Sequence, residues 1–279
     1  MIGKIVMVTG ANSGIGKVTA LELARKGATV VMMCRNRSKA EAARAEIIAQ
    51  SGNNQVELII ADFAALDSVR RGVAEFLARH DRLHVLVNNA GLFVDQRTLS
   101  HDGYELTFAV NHLAPFLLTN LLLDALRAAA PARVVNVSSS AHIPGHIRFN
   151  DLQATRGYIG FRAYSDSKLA NILFSNELAR RMAGSGITSN SLHPGVVNTN
   201  FATGSEGIFQ FIFNLARPFF ITPEQGAQTS IYLASSPEVE GISGKYFADQ
   251  RPQRALNEAN NVAVQQKLWE VSSQLVGLG

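Results

Sequence analysis

The sequence predicts an α/β fold: one doubly wound parallel sheet of seven strands, with helices on both faces, in a single domain over residues 1–279. Three observations carry that expectation. Short apolar runs alternate six times with longer segments of helical period, the order of a parallel sheet linked by crossover helices. Several runs are apolar almost throughout (Val134-Val135, Val85-Leu86-Val87), as strands covered on both faces are. No proline- or glycine-rich linker, internal repeat or low-complexity tract divides the chain.

The elements follow in order. A strand over Lys4–Thr9 leads into a helix over Gly16–Arg25, and Thr29–Cys34 into Ser38–Gln50. Val56–Ala61 precedes a helix at Leu66–Ala78, and Leu83–Asn88 a long one at Tyr104–Ala129. Arg133–Ser138 is followed by Ala163–Met182, Thr188–His193 by Pro223–Ala234, and Lys245–Ala248 closes the sheet. Right-handed crossovers then put helices on both faces. Two long intervals, 141–162 and 196–220, carry no clear strand. Loops of that length in a compact fold are usually functional or disordered.

Composition narrows the classes. A hydrophobic share of 47% with 17% charged residues excludes a disordered, collagen-like or highly charged chain. No apolar run approaches the roughly 20 residues needed to span a bilayer. The apolar start, Ile5 to Val8, ends at Thr9-Gly10, so the N-terminus reads as part of the fold rather than as a secretory signal. Cys34, the single cysteine, can form neither an internal disulfide nor a cysteine metal site, and a reducing, cytoplasmic setting is expected. The excess of four positive charges comes without a basic block, so it favours neither nucleic acid nor a phosphate-bearing small molecule.

The first strand runs into Thr9-Gly10-Ala11-Asn12-Ser13-Gly14-Ile15-Gly16, after which a helix begins. Gly10 can turn tightly, Gly14 lets backbone approach a diphosphate, and Gly16 allows close helix packing. Free N–H groups at the helix start then face the anion. Between the first strand and first helix of such a sheet, this string points to a dinucleotide. An NAD site usually carries an acid roughly 20 residues past the loop, for the ribose 2′-hydroxyl. Position 34, 18 residues beyond Gly16, is a cysteine followed by Arg35 and Arg37, with Lys17 and Lys39 as further cations. These would pair a 2′-phosphate, so NADP(H) is preferred over NAD(H).

Two segments reach the C-terminal edge of the sheet. One is the strand end Ser138-Ser139-Ser140; the other is Tyr164-Ser165-Asp166-Ser167-Lys168, whose i, i+4 spacing sets Tyr and Lys on one helical face. A phenol has a pKa of about 10 and needs its anion stabilised to work near neutrality. An ammonium one turn away and the positive nicotinamide of an oxidised cofactor would supply that. A serine hydroxyl could hold the substrate oxygen, which suits hydride transfer to a carbonyl.

Thr9–Gly16 (TGANSGIG), Asn88–Gly91 (NNAG), Asn111, the serine run, Tyr164-x-x-x-Lys168 and Pro194-Gly195 together resemble the short-chain dehydrogenase/reductase family, in order and over almost the whole chain. Arg133–Ser139 (RVVNVSS), Ala141-His142, Ser167–Asn171 (SKLAN), His193–Val197 (HPGVV), Glu224–Ser230 (EQGAQTS) and Ser243–Phe247 (SGKYF) are similar to its retinol dehydrogenase branch. The resemblance implies a Rossmann-type sheet and an enzyme that moves a hydride between NADP(H) and a carbonyl or alcohol. Its substrates would be retinal-like or lipid-derived aldehydes. It also implies roles. Tyr164 would be the acid in reduction and the base in oxidation, Lys168 would depress its pKa and hold the nicotinamide ribose, and Ser139 would bind the carbonyl oxygen. The spacing of 25 positions from Ser139 to Tyr164 matches the branch better than the wider family. Asn111 would hold a water linking Lys168 to solvent. Cofactor contacts would come from Gly10, Asn12, Ser13, Gly14, Ile15, Gly16, Arg35, Asp62, Phe63, Asn89, Ala90, Gly91, Pro194 and Gly195. Val197 and Thr199 would meet the carboxamide. The interval 141–162 would be an active-site insertion and 196–220 a lid.

That lid holds Phe201, Phe209, Phe211, Phe213, Phe219 and Phe220, with Ile208, Phe209, Ile212, Phe213 and Leu215 as an apolar stripe on a short helix. It suits a bulky apolar aldehyde or ketone, or peripheral contact with a membrane. The cations Arg148, Arg156, Arg162 and Arg217 keep an acidic substrate group open. The human-type members of the branch carry an N-terminal membrane anchor that this sequence does not show. A homodimer or homotetramer is expected by analogy, with Tyr104–Ala129 as one face. No nucleic acid partner is expected. No metal is expected either: His80 and His84 lack a third ligand, Pro144-Gly145 separates His142 from His146, and His193 fits a strand end. Two alternatives stay open: an NADP-binding sensor or scaffold without turnover, and a reductase similar to the protochlorophyllide-reducing enzymes.

Overall fold

The computed structural model describes residues 1–195 and 221–278. Eight strands form one sheet: β1 (Ile5–Thr9), β2 (Thr29–Cys34), β3 (Val56–Ile60), β4 (Val85–Asn88), β5 (Ala132–Val137), β6 (Ile187–His193), β7 (Tyr246–Ala248) and β8 (Arg251–Gln253). Their order is β3-β2-β1-β4-β5-β6-β7-β8, and every pairing up to β7 is parallel. The sequence leads one to expect seven strands; the eighth pairs antiparallel with β7. It was hard to foresee because all three of its residues are exposed and one is Pro252, which only an edge strand tolerates. The connecting turn places the non-glycine residues Asp249 and Gln250 at φ 49° and 60°, the left-handed geometry of a tight hairpin.

Alternation along the strands divides the core into two layers. Val6, Val8, Val30, Met32, Val85 and Val87 belong to the layer with Leu23 of α1 (Gly14–Arg25) and Ile47 of α2 (Arg37–Ser51). Met7, Val31, Met33, Leu86 and Val134 pack in the other, with Phe76 of α3 (Leu66–Leu77) and with helices later in the chain.

The long helix expected at Tyr104–Ala129 is broken. α4 (Leu106–Phe108) passes into a π-helical turn at Ala109–Leu113, followed by α5 (Ala114–Leu121) and α6 (Leu123–Ala128). Pro115 has no N–H to give the carbonyl of Asn111 four residues earlier, and wider turns of this kind absorb such a defect. Residues 107–119 are all buried within the chain, so this stretch keeps no exposed face of its own.

α7 (Gly160–Arg181) starts three residues earlier than expected and α8 (Pro223–Ser235) close to expectation, with a complete capping box between Thr222 and Gln225. α9 (Val262–Leu275) packs on α7 and is absent from the sequence-based reading. Two of its three buried positions are Gln265 and Ser272, so its apolar stripe is too thin to see. Among the described residues no helix is long and apolar enough to cross a membrane, and no three His, Cys, Asp or Glu side chains cluster as metal ligands.

β1 sits between β2 and β4, where the strand order reverses. Ligands of open α/β sheets bind beyond the carboxyl ends of strands at such a point. The segments leaving β1 and β4 are Gly10–Gly16 and Asn89–Gly91, and the site is built on them.

Candidate active site

A cleft of about 1210 Å³ opens at this edge. That exceeds the roughly 300–1,000 Å³ usual for one small ligand, so it has room for a dinucleotide with a substrate. At one end lie Gly10, Asn12, Ser13, Gly14, Ile15 and Gly16. Ser13 stands at the N-cap of α1, yet its side chain makes no capping bond, which leaves the first N–H groups of the helix for an anion. Gly10 turns the chain at φ +66°. A Cβ on Gly16 would lie 2.5 Å from the Gly10 carbonyl oxygen and 2.4 Å from Asn89 Nδ2, so only glycine lets the helix cross the loop this closely. The residues therefore fit a diphosphate.

Asn89 supports this loop from behind. Its amide donates to the Thr9 carbonyl at 2.8 Å, while the backbone N–H groups of Asn89 and Ala90 donate to Thr9 Oγ1, each at 2.9 Å. Asn89, Ala90 and Gly91 line the cleft, as do Asp62 and the mostly buried Phe63. Asp62 also accepts the Ala64 N–H at 3.0 Å.

Past β2 the cleft meets Cys34, Arg35, Lys39, Lys17 and Glu46. Burial pushes the Cys34 thiol up to about 11, against hydrogen bonds from the Ala11 and Asn12 backbone. Lys17 pairs with Glu46. Arg37 turns to Glu41 at 3.6 Å and is not part of the wall, so the cations facing this end are Arg35, Lys17 and Lys39.

At the opposite end stand Ser139, Tyr164 and Lys168. Ser138 and Ser139 part company: Ser138 is buried and its Oγ donates to the Lys168 carbonyl at 2.7 Å, tying β5 to α7. Ser139 faces the cleft and its Oγ accepts the Ala141 N–H at 3.1 Å. Ser139 and Tyr164 are joined through their side chains. Burial drives the Tyr164 phenol above its ordinary value, and the Ser139 bond only partly opposes this. Lys168 lies 5.4 Å from the Tyr164 ring centroid, donates to the Val137 carbonyl at 3.2 Å, and is itself lowered to about 8 by burial.

Asn111 lies on the π-helical turn, fully buried and off the cleft wall. Its Nδ2 donates to the Leu92 carbonyl and to Ser167 Oγ, both at 3.0 Å, and its Oδ1 accepts the Leu92 N–H at 2.8 Å. A Cβ on Gly91 would come 3.2 Å from Asn111 Oδ1 and 3.5 Å from Lys168 Nζ, so the three residues are close neighbours.

Pro194 and Gly195 line the cleft, whereas Val197, Thr199 and the whole 196–220 interval lie outside the described residues. Arg148 pairs with Asp166, and neither it, Arg156 nor Arg162 reaches the cleft. Ile143, Pro144 and Phe161, from the interval 141–162, line the cleft, and Phe93, which sequence reasoning did not single out, packs edge-on to the Tyr164 ring at 5.9 Å. His142, quoted in the sequence only within the Ala141-His142 pair, lies three residues past Ser139 and is buried.

Fold and cleft define a doubly wound dinucleotide-binding protein. The family model for short chain dehydrogenase matches residues 4–206. Human retinol dehydrogenase 14 is 49% identical, over 100% of this chain and 88% of that protein, and mouse retinol dehydrogenase 12 is 46% identical, over 99% and 87%. A solved structure from Mycobacterium paratuberculosis is 37% identical with a TM-score of 0.81, covering 99% of this chain and 94% of that one. The Pseudomonas aeruginosa RhlG/NADP active-site complex is 26% identical with a TM-score of 0.72, covering 88% and 94%. The chain belongs to the short-chain dehydrogenase family, in its retinol dehydrogenase branch. It is an oxidoreductase of the hydride-transfer kind, from a family that binds nicotinamide cofactors.

Proposed function

We propose that the protein is an NADP(H)-dependent reductase of apolar aldehydes or ketones, working in reverse on the matching alcohols. The observation that carries this reading is one cleft lined by the open start of α1 at one end and by Ser139, Tyr164 and Lys168 at the other. Gly10–Gly16 would hold the diphosphate, Asp62 and Phe63 the adenine, and Asn89–Gly91 with Lys168 the ribose of the nicotinamide half. A nicotinamide cofactor held there would supply the hydride for the carbonyl carbon.

The protein's own part is to hold the oxygen and supply the proton. Ser139 would donate to the carbonyl oxygen as negative charge gathers there. Tyr164 would pass its phenolic proton to that oxygen, giving the alcohol and a tyrosinate. A raised phenol pKa keeps Tyr164 protonated and ready for this direction. The Lys168 ammonium would stabilise the tyrosinate, and Asn111, packed beside it, would connect Lys168 to water.

Preference for NADP(H) is supported by Arg35, Lys17 and Lys39 at the adenosine end. Cys34 stands where an acid would bind a ribose diol, and Glu46, the acid nearby, is already paired with Lys17. An apolar substrate is supported by Ile143, Pro144 and Phe161 in the cleft that holds Tyr164, with Ile143 61% and Phe161 41% exposed. The relatives' names point the same way, retinol being a largely apolar alcohol.

The test is cofactor consumption against retinal, alkanals, steroid ketones and quinones, with NADPH and NADH in parallel. Consumption of NADPH well above NADH, rising with the apolar bulk of the carbonyl, is expected. No consumption with any carbonyl would overturn the reading, and equal use of both cofactors would overturn its NADP(H) part.

A further inference from the structure

Ser139 is followed by a single 3-10 turn, Ser140–His142, and His142 is almost wholly buried beneath the cleft. Both ring nitrogens have fixed partners. Nδ1 lies 2.7 Å from the Ser139 carbonyl oxygen, which also receives the His142 backbone N–H at 3.1 Å. Nε2 lies 3.1 Å from the Leu256 N–H.

Those partners dictate the proton. A carbonyl can only accept, so Nδ1 carries the hydrogen; a backbone N–H can only donate, so Nε2 is bare. The ring is therefore neutral, in agreement with its burial, which lowers its pKa. It is packed edge-on to Tyr246 of β7 at 5.0 Å, and His193 of β6, near enough to couple with it, is lowered to about 4 by burial. Asp249 is the charged group that acts on His193 from the β7–β8 turn.

The consequence reaches Ser139. Its Oγ accepts the Ala141 N–H, and its hydroxyl is hydrogen-bonded to the Tyr164 side chain. The place of that hydroxyl depends on the Ser139 backbone staying in place at the mouth of the turn. β5 ends at Val137, and the last ladder bond before Ser139 is the one from the Ser138 N–H to the Leu192 carbonyl at 2.7 Å.

We propose that His142 is a positioning residue: it clamps the Ser139 carbonyl, keeps the Ser139 hydroxyl in place beside Tyr164, and joins this turn to the C-terminal segment through Leu256. The segment is well anchored to serve. Glu258, two residues on, accepts the Ile147 N–H at 3.0 Å and contacts His146 Nδ1 at 2.7 Å. The role in turnover rests on the proposed reductase chemistry; the clamp itself does not.

The experiment compares His142→Phe and His142→Asn with the wild type, by steady-state kinetics, NADPH binding and amide hydrogen exchange. Phenylalanine fills the space without either bond, and asparagine keeps a donor for the Ser139 carbonyl. In His142→Phe, kcat should fall about tenfold to a hundredfold, since small misplacements of reacting groups cost that much. KM and NADPH affinity should stay near wild type, and exchange at Ala141 and Leu256 should quicken. In His142→Asn, kcat and Ala141 protection should recover while Leu256 stays fast. Wild-type kcat and Ala141 protection in His142→Phe would overturn the proposal. So would a His142→Asn protein as impaired as His142→Phe, or, if His142→Phe does not fold, a His142→Asn protein that has lost kcat. A wild-type enzyme idle on every carbonyl would defeat the reductase reading alone; Ala141 exchange in the variants would still decide the clamp.

Discussion

Replacing Gly16 by alanine sets two effects of known size against each other. Gly16 is the third residue of α1, and alanine there should favour the helix by about 1 kcal/mol. The new methyl, however, would sit 2.5 Å from the Gly10 carbonyl oxygen and 3.0 Å from its carbon, which are backbone atoms with little room to give. It would also sit 2.4 Å from Asn89 Nδ2, which cannot swing away without losing its 2.8 Å bond to Thr9. Overpacking of this kind costs about 1–3 kcal/mol, and the lost hydrogen bond about 0.5–1.5 kcal/mol more. The net is a loss of roughly 1–3 kcal/mol, or a Tm lower by about 3–10 °C at this chain size. Opening the loop should also weaken NADPH binding at least about tenfold, since a shift of that size spoils several amide contacts at once. Thermal melts with and without NADPH, together with fluorescence titration, measure both. A Gly16→Ala protein that melts higher than wild type and binds NADPH equally well would refute the reasoning, because helix propensity would then have prevailed and the crossing could not be so close.

Other expectations follow from the same geometry. Cys34→Asp places a carboxylate where the Ala11 and Asn12 amides already point, and should move the NADPH-to-NADH ratio of kcat/KM toward NADH by about 10–100-fold; paired kinetics with the two cofactors check it. Lys168 is lowered to about 8 by burial, below the roughly 10.4 of an unfolded chain, so between those values the unfolded form binds more protons. Stability of the cofactor-free protein should thus rise across about pH 8–10.4, by on the order of 3 kcal/mol, and Lys168→Met should melt higher than wild type at pH 7, with the difference fading near pH 10. The two serines should separate: Ser138→Ala and Ser139→Ala each cost about 1 kcal/mol in chemical denaturation, through the Lys168 carbonyl bond and the turn cap respectively, but only Ser139→Ala loses kcat.

Much of this fold was legible because its parallel strands are covered on both faces and read as plain apolar runs. The phosphate loop was legible for a different reason: its glycines answer to steric needs that no other residue meets. What stayed hidden had mixed polarity. α9 buries Gln265 and Ser272, which bond to the Ala259 carbonyl and to His112, so a polar pattern conceals a packed helix. β8 is short, exposed and carries a proline. The break at Asn111 needed only Pro115 to be weighed as a missing donor. In the site, Tyr164 and Lys168 stood out by spacing, whereas His142 showed only within the Ala141-His142 pair, and its bond to the Ser139 carbonyl has no counterpart in residue spacing. The phenol's upward shift could not be read from spacing either, because it depends on how deeply α7 is buried.

The central claim is that Tyr164 supplies the proton in turnover. Its most direct measurement is Tyr164→Phe, with NADPH binding and carbonyl reduction followed on the same protein. The variant should bind NADPH within about twofold of wild type and reduce its best carbonyl about 10²–10⁴-fold more slowly, the usual worth of a positioned acid. Reduction at the wild-type rate by a protein lacking that hydroxyl would contradict the claim.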